Sequence, residues 1–232
     1  ARVAQAAGVP LKEPEVVWRD FVAAGRPVVV VGGVEEQSVL NRSFLTSLQF
    51  PIRFGRIPYE DQYTRGKPRS TTLSSFFRKV IDNATANASG MYVFDSKVLG
   101  RPELRTAVAV PGFLRGRYRR QFKGQFMVGG PGSGAPPHLH AAAWNAVLYA
   151  DGVEKAWKLW RPSDAFLNTF PAASWEDHTL LQDRLACAIT ARQRVGDVLV
   201  VPSGWAHAVV NVPAGDACVD GAFHVAVAFE FE

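Results

Sequence analysis

Two histidines separated by one residue, His138 and His140, sit in the stretch Gly132-Ser-Gly-Ala-Pro-Pro-His138-Leu-His140. On a strand this spacing places both imidazoles on one side of the sheet. Two neighbouring imidazole nitrogens suit a single transition-metal ion, which then needs a third ligand from elsewhere in the chain. The best candidate is His207, in Gly196-Asp-Val-Leu-Val-Val-Pro202-Ser-Gly204-Trp-Ala-His207. A lone histidine reads more naturally as a hydrogen-bonded core residue. A pair plus a third in a second ordered stretch favours a metal site. His224 faces the alanine side of the last strand, where it could support the ligands. His178 falls in a long polar connection and reads as surface.

The elements that must position these side chains are short. A helix is expected over Val16–Ala24 and a buried strand over Val28–Val31. A helix follows over Asn41–Leu48, with Leu45 and Leu48 inward, and then a strand over Phe50–Ile57. Residues 58–70 read as loop. Helical spacing of Leu73, Phe76, Phe77 and Val80 predicts a helix over Thr72–Ile81, capped by Ser70, Thr71 or Thr72. Strands are expected at Met91–Phe94 and Gln125–Val128. Gly129–Gly134 reads as a flexible turn, and it lacks the Lys-Ser or Lys-Thr of a phosphate loop. His138–Trp160 is strand-like with one turn near Asp151-Gly152. Residues 162–185 form a long connection with helical character from Thr179. Further strands are expected at Val198–Val201, Ala208–Val212 and Phe223–Phe231. The last alternates strictly, with Phe223, Val225, Val227, Phe229 and Phe231 on one face. Short strands with Gly/Pro turns suggest an all-β barrel or jelly roll, with helices mainly in the N-terminal half. Trp144, Trp157, Trp160 and Trp205 read as its walls.

Composition narrows the partners. The chain has 232 residues, 47% hydrophobic and 20% charged, which supplies a sizeable core and argues against disorder. Its apolar runs are far too short to span a bilayer. The net charge of +5 comes partly from Arg115, Arg117, Arg119, Arg120 and Lys123. With no nucleic-acid motif beside it, this cluster reads as a solvated face rather than a nucleic-acid patch. Cys187 and Cys218 lack metal spacing and read as unpaired packing residues, with pairing in an oxidising compartment the alternative. Three of the six asparagines lie in glycosylation sequons, at Asn41, Asn83 and Asn87. Sequons carry meaning only in the secretory pathway.

The two histidine stretches fit a paired pattern. Gly132-x5-His138-x-His140-x4-Asn145-x6-Gly152 resembles the first cupin motif, with Asn145 where an acidic residue is usual. Gly196-x5-Pro202-x-Gly204-x2-His207-x3-Asn211 matches the second at every fixed position. Within the cupins the sequence most resembles the JmjC-domain oxygenases. The resemblance is carried by Arg26-Pro-Val-Val-Val-Val-Gly32, Ser133-Gly-Ala-Pro-Pro-His-Leu-His140, Ala143-Trp-Asn145, Lys155-Ala-Trp157 and Gly196–His207. It implies a mainly β fold, a double-stranded β-helix (jelly-roll or cupin barrel) with N-terminal helices packed on it. Residues 1–232 then form one JmjC-like domain, with 1–95 its N-terminal part and 122–232 the barrel core.

The resemblance also implies Fe(II) and 2-oxoglutarate as cofactors. His138 and His207 match two family ligands. His140 stands where the family has a carboxylate. Three neutral histidines leave a ferrous site at +2 rather than +1, which retunes the metal and brings Zn(II) or another divalent ion into competition. Lys155 matches the lysine that pairs with the distal carboxylate of 2-oxoglutarate. Asn145 matches a position that hydrogen-bonds the cosubstrate or a ligand, and Asn211 is expected close behind. Ala135 replaces a hydroxyl residue common three positions before the first histidine. The same His-x-His replacement and the Ser-Gly-x-Pro run resemble a JmjC subgroup of the endoplasmic reticulum lumen, and the sequons agree with that placement; the cytoplasm or nucleus is the alternative. The expected activity is hydroxylation of a protein side chain or small molecule. The alternatives are a non-catalytic JmjC fold used for binding in the secretory lumen, and a three-histidine cupin metalloenzyme that uses no 2-oxoglutarate.

Overall fold

A computed structural model describes residues 14–56, 69–83, 90–105, 108, 110–117, 121–162, 188–215 and 220–232. The helical expectation at 179–185, His178, Cys187, Cys218 and Asn87 lie outside these residues.

The fold is mainly β, a double-stranded β-helix with small N-terminal helices. The N-terminal strands are β1 (Val28–Val30), β2 (Pro51–Gly55), β3 (Arg69–Thr72) and β4 (Tyr92–Asp95). They are followed by β5 (Gln121–Gly129), β6 (Gly134–His138), β7 (Ala143–Asp151) and β8 (Val153–Trp160). The last four are β9 (Ile189–Gln193), β10 (Val198–Val201), β11 (Ala206–Pro213) and β12 (Phe223–Phe231). One sheet runs β1-β10-β7-β12-β5-β4-β2-β3, and a smaller one runs β6-β11-β8-β9. Every pairing is antiparallel.

The alternation of β12 shows how the layers form. Phe223, Val225, Val227 and Phe231 join one core with Val28, Val30, Trp144, Val198 and Val200 on the outer face of the large sheet. Leu45 and Leu48 from α2 (Arg42–Ser47) and its exit pack against that face. So do Leu73 and Phe76 from α3 (Leu73–Phe76), which runs on as a wider π-helical turn to Ile81. Each such apolar side chain contributes roughly 1.5–3 kcal/mol by leaving water. Among the capping candidates Thr72 is the one used, its Oγ1 accepting from the Ser75 amide at 3.2 Å. The opposite face of β12 carries His224, Ala226 and Ala228 into the barrel, where small side chains leave room between the sheets. A second core joins Val29, Leu199 and Val201 of the large sheet to Trp157, Leu159 and Val209 of the small one.

Several expectations are corrected. Arg69–Thr72 is a strand, not the end of a loop: β3 is the polar edge of the large sheet, formed by pairing with β2 rather than by burial. Gly134 belongs to β6 rather than to a flexible turn. The helix expected over Val16–Ala24 starts earlier, with α1 (Pro14–Val17) continuing as a π-helical turn to Val22. Trp144 packs outside the barrel, stacked on Phe229 with centroids 4.9 Å apart, rather than lining its interior. Within the basic cluster, Arg117 is structural: it pairs with Glu15 and lies 6.0 Å from the Trp18 ring, tying this segment to α1.

Candidate metal centre

The site is built by β6 and β11. These strands are adjacent and antiparallel, and the register sets His207 across from His138. The pairing is unusually close. A Cβ on Gly134 would lie 2.0 Å from the Val209 carbonyl oxygen, so only glycine fits there. β6 is an edge strand, which accommodates Pro136 and Pro137 despite their missing N–H groups. Gly204, with φ of +80°, makes the left-handed turn after Pro202 that returns the chain into β11 and delivers His207.

His138 ends β6, Leu139 is exposed, and His140 follows just beyond the strand. The two imidazoles lie on one side and Leu139 on the other, as the two-residue spacing leads one to expect. One ring nitrogen from each of His138, His140 and His207 lies within 4.8 Å of the others. Ring centroids are 4.3 Å apart for His138–His207, 4.5 Å for His140–His207 and 5.5 Å for His138–His140.

The tautomers follow from the hydrogen bonds. Nδ1 of His207 lies 3.0 Å from the Trp205 carbonyl, and Nδ1 of His140 lies 2.6 Å from that of Ala141. A carbonyl oxygen only accepts, so each Nδ1 carries the hydrogen and each Nε2 keeps its lone pair for a metal. Burial holds His207 neutral, well below its ordinary range, and the neighbouring His138 and His140 reinforce this. Three converging imidazoles fit a divalent ion such as Fe(II) or Zn(II).

Deeper in the barrel lies a second polar group. Lys155 on β8 is 2% exposed and aligns with Asn211 on β11 and Gln193 on β9. Its Nζ lies 5.5 Å from the centre of the Trp157 ring. Burial lowers its pKa to about 7. Among the described residues no carboxylate pairs with it. Asn211 is oriented by a chain of donors: Ser133 Oγ donates to the Gly130 carbonyl at 2.7 Å and accepts from Asn211 Nδ2 at 2.7 Å. That fixes Asn211 Oδ1 as a buried acceptor with no partner among the described residues. Oδ1 of Asn145 on β7 is likewise buried without a partner among them. The chain therefore brings Lys155 and Asn211 together on one strand pair, while Asn145 approaches from the opposite sheet.

One structural residue escaped the sequence reading. Gln193 is fully buried and joins the sheets: Oε1 accepts from Trp157 Nε1 at 2.9 Å, and Nε2 donates to the carbonyls of Asn145 and Asp197 at 2.8 and 3.0 Å. His224, expected behind the ligands, is fully buried across from Gly129 on β5, and burial, reinforced by the Lys155 charge, holds it well below its ordinary range. A signal for Lys155 was present, because Val153, Lys155, Trp157 and Leu159 share one phase of β8, and the other three are buried and apolar.

No protein-family model matches the sequence, and no curated protein matches it either. Solved structures of the Escherichia coli ribosomal oxygenase YcfD do. Its complex with cobalt and 2-oxoglutarate matches with a TM-score of 0.54 at 17% identity over 95% of this chain and 52% of that one. Its complex with cobalt and succinic acid matches with a TM-score of 0.55 at 17% identity over the same shares. The chain thus spans about half the length of these structures. At such identity the likeness is one of fold.

Proposed function

We propose that this chain is a JmjC-like oxygenase dependent on Fe(II) and 2-oxoglutarate, acting as a hydroxylase on a protein side chain or a small molecule. The observation that carries the reading is the pairing of two sites in one barrel: a cluster of three imidazoles and a buried lysine with no acid paired to it among the described residues. The first suits the metal and the second suits the far carboxylate of a dianionic cosubstrate. The likeness to an oxygenase solved with cobalt and 2-oxoglutarate supports the same reading. That protein's description as a ribosomal oxygenase makes a protein substrate the first to test.

His138, His140 and His207 would hold Fe(II), which with 2-oxoglutarate and dioxygen supplies the oxidising chemistry and releases succinate and CO₂. The residues of the chain do the rest. Nδ1–H bonds from His140 and His207 to backbone carbonyls lock the rings with Nε2 inward. Lys155 gives the cosubstrate a charged anchor, Asn211 and Asn145 line its path, and the apolar wall of Val29, Leu199 and Val209 excludes water. With His140 in place of a carboxylate, the ligand set adds no negative charge, so a dianion is attracted more strongly.

The test is succinate and CO₂ release from 2-oxoglutarate with Fe(II). Turnover that is lost in His207→Ala is expected. Metal uptake with no 2-oxoglutarate binding would instead favour a three-histidine cupin without the cosubstrate, the reading His140 motivates.

We further infer residence in the lumen of the endoplasmic reticulum. Asn83 supports it: it is exposed just past the π-helical turn that extends α3. Each amide nitrogen donates to a backbone carbonyl, Asn83 to Arg78 and Asn41 to Ser38, but Asn41 fits less well because its Oδ1 also caps α2 at the Phe44 amide.

A further inference from the structure

His224 is fully buried in the middle of the large sheet, aligned with Gly129 on β5 and Ala150 on β7. Its Nδ1 lies 2.9 Å from the Gly129 carbonyl, so Nδ1 carries the hydrogen and Nε2 is a bare acceptor. That Nε2 is buried with no partner among the described residues. A buried polar atom left unsatisfied in this way is costly and points to a ligand or water that completes it.

The surroundings define the missing partner. From β11, Asn211 reaches toward this position: a Cβ on Gly129, the residue across from His224, would lie 3.3 Å from Asn211 Nδ2. Asn211 Oδ1 has no partner among the described residues, and Lys155 on β8 stands directly across from Asn211. From β4, Tyr92 shares the interior cluster with Met127, Val147 and Ala226, and beside His224 the strands β5 and β7 place Gly129 and Ala150. Among the described residues no acid faces His224. A carboxylate drawn to Lys155 therefore meets a second lone pair at Nε2, and acceptor facing acceptor repels. A proton on Nε2 removes the conflict and turns the ring into a second donor.

We propose that His224 is an anion-binding residue that takes up a proton from solvent as a carboxylate settles on Lys155, so that ammonium and imidazolium grip the carboxylate together. This rests on the reading that a dicarboxylate enters the barrel. Burial and the nearby Lys155 charge hold the empty ring neutral, so the proton arrives only with the anion. Cosubstrate binding is then tied to proton uptake at a ring outside the metal cluster.

Glutarate, a five-carbon diacid that needs neither metal chelation nor turnover, is the probe. The ¹⁵N-histidine spectrum of the Zn(II)-loaded protein is followed at pH 6.0 as glutarate is added, and the His224 resonances are assigned by their loss in His224→Gln. Nε2 of His224 is expected to move from the unprotonated to the protonated range at saturation. His224→Gln supplies a permanent N–H donor and should bind glutarate near wild-type strength. His224→Ala should bind about tenfold more weakly, the loss of a charged hydrogen bond. An Nε2 that stays unprotonated at saturation, equal binding by His224→Ala, or no glutarate binding at all would overturn the inference. Turnover of 2-oxoglutarate reports on the oxygenase reading separately, since glutarate can bind whether or not the metal supports catalysis.

Discussion

His207 lies across from His138 in the β11–β6 ladder, with their rings 4.3 Å apart. One strand pairing thus sets both ends of the metal cluster, and the glycine that lets the strands approach is as much part of the site as the ligands. Gly134→Ala would push Cβ into the Val209 carbonyl. The strands must then separate, and metal affinity should fall by at least about tenfold while His138 and His207 remain intact. Isothermal titration with Zn(II) reads this directly, and unchanged affinity would mean that the close pairing does not position the ligands.

Lys155 gives stability a defined pH dependence. Its pKa falls from the ordinary 10.5 to about 7 in the folded protein. Between these values the unfolded state binds more protons than the folded one, so stability rises with pH, by up to roughly 1.4 kcal/mol per unit. Below about pH 7 both states are protonated and the full cost of burying the charge is felt. Urea denaturation of wild type and Lys155→Met from pH 6 to 9 should show wild type gaining on the variant above pH 7. Parallel profiles would place the lysine in water instead.

The same residue should govern the cosubstrate. Lys155→Met should retain the metal and lose 2-oxoglutarate affinity by roughly 10–100-fold, the worth of a charge-assisted hydrogen bond out of water. Wild-type affinity should also weaken above pH 7, where the empty site loses its ammonium charge. Equal affinity of the two proteins would remove Lys155 from the binding site.

Gln193 is the polar rivet between the sheets. Gln193→Leu keeps the volume but strips Trp157 Nε1 and the Asn145 and Asp197 carbonyls of their partner. A destabilisation of roughly 2–4 kcal/mol is expected from the buried groups left unsatisfied. The urea midpoint measures it, and a shift within about 0.5 kcal/mol would show that the sheets are held by apolar packing alone.

Lumenal residence predicts a glycan. The chain expressed behind a secretory leader should carry glycosidase-sensitive mass that Asn83→Gln reduces and Asn41→Gln leaves in place. An unshifted protein would count against the lumen.

What the sequence displayed depended on how each element is stabilised. The β12 alternation was legible because one face packs on helices and the other on the barrel, so burial wrote the period into the residues. The second histidine stretch was legible because Pro202 and Gly204 mark the turn that feeds β11. β3 was not, since it is a polar edge held by backbone pairing. β9 left no mark either, because Ile189–Gln193 is half exposed and its inward glutamine is satisfied only by groups distant in sequence. Proximity of His140 to His138 was legible in their two-residue spacing, whereas the seat of His207 across from His138 depends on a pairing of strands far apart in sequence. That no acid among the described residues pairs with Lys155 or His224 is a property of packing, invisible until both sheets are in place.

The metal centre is tested most directly by loading the protein with Co(II) and recording its visible spectrum before and after 2-oxoglutarate. One ion per chain, lost in His138→Ala and His207→Ala and perturbed by 2-oxoglutarate in wild type, is the predicted result. A wild-type protein that takes up no metal would contradict the account.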